Sequence, residues 1–567
     1  MVQEVLISIS LIIVVAAILT TLLRVIKQPP IIAYLITGIV VGPLFLNLIG
    51  PESASTGLLQ ILAHIGVAFL LFIVGLSLDL RVLKEVGGVA TFGGLAEVIL
   101  TASSVFFIAL GLGFQNMTAL YLGAALAFSS TVVVVKILSD KKEIDSLHGR
   151  IALGILIVED FIAALALMAI PLISTQASSI SIIEKLGIII GLIALIFIVA
   201  NTILRKILDY LARNQEALFL FGIAWALVIA TIFDYLGFSL EIGALIAGMS
   251  IASSKYNLEL GGKMKPLRDF FVILFFVFFG SQLTNNFSPE FIKQAVIFSG
   301  FILIGKPIIV MIILRLFGYK KRTNFLAGSS LAQISEFSLI LILLGFNLGI
   351  ISHELMNLVI VVALITIAIS SYSIYYSHTI FSKLQRTLGI FEGKSEYEKN
   401  HKEKKYDIII FGAHRLGYKI IEALKKTKYS YLVVDYNPKV IYSLTKQGIN
   451  CIYGDGGNAD FLSEIPIKKS KLIISTIPDE SSNIIIKENI NKVKAQATFM
   501  ATVEQPREAL ELYSKGVDYV IIPHHLGGEL ISTIINAFGL NKDQYKKLGQ
   551  DHKAKLKSSK NSSDYPG

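Results

Sequence analysis

The sequence predicts an all-α polytopic membrane domain of about thirteen helices, with inverted repeats and broken crossing helices, followed by an α/β domain of Rossmann type. Three observations carry this. Apolar windows of span length recur up to about residue 382, basic residues fall in alternate loops, and strand-like runs alternate with helical ones beyond residue 405. Of the 567 residues, 54% are hydrophobic and 16% charged, with a mean hydropathy of +0.69; soluble proteins carry about 25% charged residues. The shift in composition divides the chain into a membrane domain at 1–382, a charged linker at 383–405, a nucleotide-binding-type domain at 406–540 and a Lys- and Ser-rich tail at 541–567. Such a tail is expected to lack fixed structure.

A helix needs about 20 apolar residues to cross a hydrocarbon core of roughly 30 Å. Candidate spans fall at 4–23, 31–49, 57–78, 88–113, 117–138, 150–173, 181–204, 215–235, 238–254, 269–286, 293–316, 323–348 and 353–381. Odd-numbered spans are followed by basic residues, from Arg24 and Lys27 through Lys136, Lys141 and Arg150 to Arg315, Lys320, Lys321 and Arg322. Even-numbered spans are followed only by Lys185 and Lys293. Positive charge marks the cytoplasmic side. The alternation therefore places the N-terminus outside and the C-terminal domain in the cytoplasm. The net charge is +10, and much of the positive charge sits between membrane spans, which reads as topology and not as a nucleic-acid surface. Glu4 precedes the first apolar run and no small-residue cleavage site follows it, which argues against a cleaved signal. Cys451 is the single cysteine, so no intrachain disulfide forms.

Features of the first seven spans return in the later ones. PPIIAYLITGIVVGP in span two is answered by GFSLEIGALIAGMSI in span nine, and FSSTVVVV (128–135) in span five by GSSLAQISEF (328–337) in span twelve. An offset of seven spans, being odd, inverts the copies. Inverted repeats with helices broken at matching positions place a substrate site between them.

Span six carries Glu159 and Asp160 roughly 14 Å deep at 1.5 Å per residue. Charges at that depth are functional candidates by default. Lys306, followed by Pro307, is the basic residue near the centre of span eleven, and Glu159 is its expected partner. Asp160 is then left as the unpaired anion. A lone carboxylate in a desolvated site is neutralised by a proton or by a cation, hardly by both. Competition for Asp160 would couple two fluxes, with Ser129, Ser130 and Thr131 supplying oxygens for a partly dehydrated alkali cation. Gln333 and Glu336, on span twelve, either extend the polar centre or serve packing or gating. A purely structural Glu–Lys pair would not require three mid-membrane charges.

KQPPIIAYLITGIVVGP (27–43), HIGVAFLLFIVGLSLDL (64–80), ALAFSSTVVVVKIL (125–138), EIGALIAGMS (241–250), KPLRDFFVILFFVFFG (265–280) and LAQISEFSLI (331–340) together resemble the monovalent cation:proton antiporter-2 family, which includes Kef potassium efflux systems and bacterial sodium/proton antiporters. The resemblance covers residues 1–382. It implies thirteen helices, a core domain moving against a dimerisation domain, a homodimer, Asp160 as the ion-binding aspartate and Lys306 as the core-domain lysine. Kef-type proteins usually carry Gln-Asp where this chain has Glu159–Asp160, and electrogenic sodium antiporters carry Asp-Asp. Ser77 replaces the Glu of GLELD, and Ser335 the Gly of GEF. The expected cation is K⁺ ahead of Na⁺, exchanged for H⁺.

In the C-terminal part, KYDIIIFGAHRLGYKIIEALKK reads as strand, glycine turn and helix, and YLVVDYN as a second strand ending in Asp435. With GD at 454–455 and TIPD at 476–479, this resembles the TrkA-N domain, or regulator of potassium conductance, found behind potassium transporters. Gly412 and Gly417 match the first and third glycines of the dinucleotide fingerprint, while His414 holds the second place. Asp435 stands where it would meet ribose hydroxyls; Asp455 is either a second acid for the nucleotide or a turn cap, and Arg415, at a helix start, either holds a phosphate or is solvated. The expected ligand is an adenine nucleotide (AMP, ATP or NAD(H)), with no transition metal; a degenerate gate without nucleotide is the alternative. A potassium channel would need a TVGYG-type filter, which is absent from the sequence. A membrane oxidoreductase would need haem ligands, and His64 is the only histidine clearly inside the apolar core.

Overall fold

The computed structural model describes the chain except residues 1, 49–53, 78–87, 142, 145, 175–181, 212–213, 237, 253, 286, 394–404, 455, 458, 463–464 and 561–567. Two compact units divide at Gly393/Lys394.

The first unit is helical. Its elements are α1 (Val2–Val25), α2 (Pro30–Val41), α3 (Ala54–Ser77), α4 (Gly88–Gly111), α5 (Asn116–Leu126), α6 (Thr131–Asp140), α7 (Leu147–Ser174), α8 (Ile182–Val199), α9 (Arg205–Leu211), α10 (Gln215–Tyr235), α11 (Leu240–Ala252), α12 (Asn257–Ser281), α13 (Pro289–Gly300), α14 (Lys306–Leu316), α15 (Lys321–Ser330), α16 (Glu336–Asn347), α17 (His353–Tyr375) and α18 (Ser377–Leu384). Among the described residues, eight helical runs are long and apolar enough to span a bilayer. Four shorter apolar helices (Pro30–Val41, Gly191–Leu204, Leu240–Ala252 and Glu336–Asn347), together with the more charged α12, fill the remaining expected positions. Leu6, Leu22, Phe107 and Ile198 project outward from their helices, as side chains in contact with lipid do.

Glycines fix how the repeats interlock. A Cβ on Gly38 of α2 would lie 2.1 Å from the Val277 carbonyl of α12, and one on Gly248 of α11 would lie 2.1 Å from the Phe72 carbonyl of α3. Backbones meet there as only small residues permit. Moving the α2–α12 contact by seven spans turns it into the α11–α3 contact. The two close approaches are thus copies of one another, as an inverted repeat requires.

The boundary expected at 382 lies eleven residues further on. Phe381 of α18 and Leu388 of a 3₁₀ turn (Thr387–Phe391) pack on Met311, Asn324 Nδ2 donates to the Phe391 carbonyl at 2.9 Å, and the Gly393 amide reaches the Tyr319 carbonyl at 3.1 Å. Charges at 383–393 suggested a linker, but spaced apolar anchors tie this stretch to the membrane unit. The rest of the expected linker, 394–404, lies outside the described residues.

The second unit is a six-stranded sheet of β1 (Ile408–Phe411), β2 (Tyr431–Asp435), β3 (Cys451–Tyr453), β4 (Leu472–Ser475), β5 (Thr498–Thr502) and β6 (Tyr519–Ile521), with α19 (Arg415–Leu424), α20 (Pro438–Lys446), α21 (Ala459–Leu462), α22 (Glu480–Lys492), α23 (Pro506–Ser514) and α24 (Pro523–Phe538). All neighbouring strands run parallel, in the order β3-β2-β1-β4-β5-β6. This is the doubly wound arrangement, with its crevice where the order reverses between β1 and β4. The tail expected to be disordered instead forms helix α25 (Lys542–Lys560). Its low hydrophobicity suggested disorder, but Lys, Gln, Leu and Ala are good helix formers. Asn541 Oδ1 accepts from the Asp543 and Gln544 amides, and Asp543 precedes Lys547 by one turn.

Candidate functional site

Two helices break in the middle of the membrane unit. The run α5–α6 opens at Ala127–Ser130, and the run α15–α16 at Leu331–Ser335. Serines start both second halves. Ser130 Oγ accepts from the Val133 amide at 3.4 Å and Ser335 Oγ from the Phe337 amide at 3.1 Å, while Ser338 Oγ takes the Ser335 amide at 3.2 Å. The backbone groups released at the breaks would be costly in lipid. Side chains satisfy them: Ser129 N–H donates to Glu159 Oε2 (2.5 Å), Ala127 O accepts from Lys306 Nζ (2.5 Å), Leu331 O from Ser129 Oγ (3.2 Å) and Ser130 O from Gln333 Nε2 (3.3 Å). Gln333 Oε1 in turn accepts from Ser370 Oγ of α17. The two breaks cross at Ser129, Ser130, Leu331 and Gln333.

Lys306 is fully buried. A π turn, Phe301–Gly305, sets it in place, its amide bonding to the Phe301 carbonyl, and Pro307 offers no amide to Leu303. Its ammonium caps the carbonyl end of half-helix α5, where a cation is favoured. The expected partner Glu159 does pair with it, at 3.9 Å, but Glu97 of α4 lies closer, at 3.4 Å. Glu97 also accepts from Thr101 Oγ1 at 3.0 Å and is fully buried. Sequence reasoning passed over Glu97 as one acid among the small residues of span four. A signal was present: the offset of seven maps span eleven, with Lys306, onto span four. Glu159 is therefore less the lysine's sole counter-ion than the acceptor for the broken backbone.

Asp160 faces another way. It is partly exposed, and Thr131 Oγ1 donates to its Oδ2 at 3.0 Å; no ion pair with it is found among the described residues. Ser130 Oγ joins Glu336 Oε2 at 2.9 Å. Asp160, Thr131, Ser130 and Glu336 form an oxygen-rich edge beside the crossing. Glu159, Lys306 and Ser129 form the buried centre behind it. The Ser77 side chain lies outside the described part of the structure.

Residues 11–375 match the sodium/hydrogen exchanger transmembrane family, and residues 408–523 the TrkA-N domain. The chain belongs to the sodium/hydrogen exchanger family. It is a cation/proton antiporter with a TrkA-N domain, a transporter and not an enzyme. It is 29% identical to the candidate cation/proton antiporter YbaL of Escherichia coli (strain K12), over 82% of this chain and 85% of that one. It is also 29% identical to K(+) efflux antiporter 5 of Arabidopsis thaliana, over 58% of each chain. The structure of the sodium proton antiporter MjNhaP1 of Methanocaldococcus jannaschii aligns with a TM-score of 0.52 at 16% identity, covering 68% of this chain and all of that one, which shows a shared fold.

Within this exchanger's TrkA-N domain the glycine turn is formed. Gly412 adopts φ +87°, and a Cβ on Gly417 would lie 2.2 Å from the Gly412 carbonyl, so both positions need glycine. Thr476 Oγ1 donates to the Gly412 carbonyl at 2.9 Å. Asp435 Oδ2 accepts from the Ala413 amide and Oδ1 from the Asn437 amide, both at 2.7 Å. It thus clamps the turn through both carboxylate oxygens. His414 is exposed and caps α19 through its backbone alone. The Arg415 side chain and Asp455 lie outside the described part of the structure.

A second charged cluster sits at the end of the α6–α7 pair. Glu143 accepts from Lys141 Nζ at 3.0 Å, His148 Nε2 at 3.2 Å and His378 Nε2 at 2.9 Å, and Arg322 Nη2 reaches His378 Nδ1 at 3.2 Å. Burial pushes the Glu143 carboxyl up, but the two histidine hydrogen bonds and the nearby positive charges outweigh it and hold the group well below the usual carboxylate range.

Proposed function

We propose that this antiporter exchanges K⁺, in preference to Na⁺, for H⁺ at Asp160, across the cytoplasmic membrane with the N-terminus outside and the TrkA-N domain in the cytoplasm. The observation that carries this reading is the contrast within one acidic pair. Glu159 is enclosed by Lys306 and the Ser129 backbone, whereas Asp160 is partly exposed beside hydroxyls. A partly exposed carboxylate accepts either a proton or a cation, and that competition couples the fluxes. Thr131 and Ser130 supply hydroxyl oxygens, and Glu336 extends the polar edge. The preference for K⁺ draws on the potassium-efflux name carried by the Arabidopsis relative.

Reconstituted in liposomes under a proton gradient, the wild type is expected to dissipate an internal acid load on addition of K⁺, with Na⁺ needed at higher concentration. Asp160→Asn is expected to abolish the response to both. Exchange surviving in that variant would overturn the assignment.

The TrkA-N domain is proposed to gate exchange by binding an adenine nucleotide (AMP, ATP or NAD(H)) at the Gly412–Gly417 turn, its phosphates at the start of α19 and its ribose at Asp435. Thermal unfolding of the full chain should shift upward with one of these nucleotides and lose the shift in Gly417→Ala. Homodimerisation, which the resemblance implies, is read from the mass of the detergent-solubilised protein.

A further inference from the structure

Three buried side chains at the crossing do not balance. Among the described residues, Lys306 is the single ammonium within 4 Å of both Glu97 Oε1 and Glu159 Oε2, and all three side chains are fully enclosed. Two carboxylates on one ammonium leave a net negative charge in the apolar core, which costs several kcal/mol. The remaining oxygens tell the acids apart. Glu159 has donors on both: Ser129 Oγ on Oε1 at 3.2 Å, and the Ser129 amide on Oε2 at 2.5 Å. Glu97 has Thr101 Oγ1 and Lys306 on Oε1, while its Oε2 is buried with no hydrogen-bond partner among the described residues. The two carboxyl groups face the same ammonium, Glu97 Oε1 at 3.4 Å and Glu159 Oε2 at 3.9 Å from Lys306 Nζ.

We propose that Glu97 and Glu159 hold one proton between them, resident on Glu97 Oε2 and donated to Glu159, so that Lys306 stays an ammonium throughout exchange. A protonated carboxyl is a donor, so one proton removes the excess charge and gives the orphaned oxygen a partner. Among the described residues, the groups that reach Glu97 are Thr101 on its own helix and Lys306 from α14, with Glu159 from α7 on the same ammonium. None offers another positive charge. Glu97 is a positioning residue. It does not meet the transported cation but holds Lys306 on the Ala127 carbonyl and Glu159 on the Ser129 amide.

The consequence rests on Asp160 as the exchange site. With the triad neutral and its proton fixed, the transported proton leaves Asp160 Oδ as the cation arrives, and returns there as the cation departs. Each turnover then moves one proton against one cation and no net charge.

The test is infrared spectroscopy of the full-length protein in liposomes, without any need for transport. The wild type should show a protonated-carboxyl C=O band component that persists in Asp160→Asn, does not respond to K⁺, and disappears in Glu97→Gln. A spectrum unchanged in Glu97→Gln, or a component lost in Asp160→Asn, would overturn the proposal. Should Glu97→Gln fail to fold, Glu159→Gln decides. There Glu97 becomes the only anion for Lys306 and gives up its proton, so the component should vanish, and its persistence would count against a shared proton. If Asp160 is not the exchange site, Asp160→Asn still transports while the band behaves as described, which separates the two failures.

Discussion

Two acid–base clusters in the same helical unit are built to opposite rules. At the helix break, two carboxyls share one ammonium, and one carboxyl oxygen has no donor among the described residues. At the α6–α7 turn, one carboxylate receives a lysine and two histidines, with an arginine behind them. The first is short of positive charge and the second has it in excess. A cluster short of cations must hold a proton or attract one, as a transport centre requires. A cluster rich in donors fixes one ionisation state and one geometry, which suits a clasp. The Glu143 clasp joins the α6–α7 turn to α15 and α18, so it ties the second half of one broken helix to the first half of the other.

The sharpest way to break this contrast is to remove the shared cation. Lys306→Met leaves the Ala127 carbonyl without its donor and two buried carboxyls without a counter-ion. Removing one partner of a buried ion pair typically costs about 3–5 kcal/mol. Thermal unfolding in detergent should show this as the largest loss of any single substitution in either cluster. Combining it with Glu97→Gln and Glu159→Gln should restore much of the loss, because no charge is then stranded. If the triple variant is no more stable than Lys306→Met, charge imbalance is not what governs the triad.

What the sequence disclosed follows the same division. Spans, both helix breaks and the Glu159–Asp160 pair could be read locally, because apolar length, hydroxyls within an apolar run and adjacent residues are local signals. Lys306 stood out for the same reason, as a charge inside an apolar window. Glu97 did not, although it is equally buried, since AEVIL within small residues reads as an ordinary span. Its role arises only when α4 and α14 meet. The Glu143–His378 contact joins residues 235 positions apart, and no periodicity announces it. The boundary at 393, in place of 382, was hidden because charges mask the Phe381 and Leu388 anchors. In the TrkA-N domain the glycine turn was legible, whereas the Asp435 clamp on the Ala413 amide depends on β1 and β2 lying side by side.

Glu143→Gln is the smaller perturbation of the two clusters. Glutamine keeps one acceptor but turns an amide N–H₂ towards donors from Lys141 or His148. Leaving a buried donor without its acceptor costs about 1–3 kcal/mol, so the drop in unfolding temperature should be clear but less than that of Lys306→Met. Its pH dependence has a defined sign. The folded carboxyl sits below its ordinary value of 4.5, so its contribution is fully present above that value and is lost as pH falls towards the folded value. Wild type and Glu143→Gln should therefore differ by a constant amount between about pH 5 and 7 and converge only under stronger acid. Convergence at neutral pH would mean that the histidines, not the carboxylate, set the clasp, and would place a titrating switch where the contacts describe a fixed one.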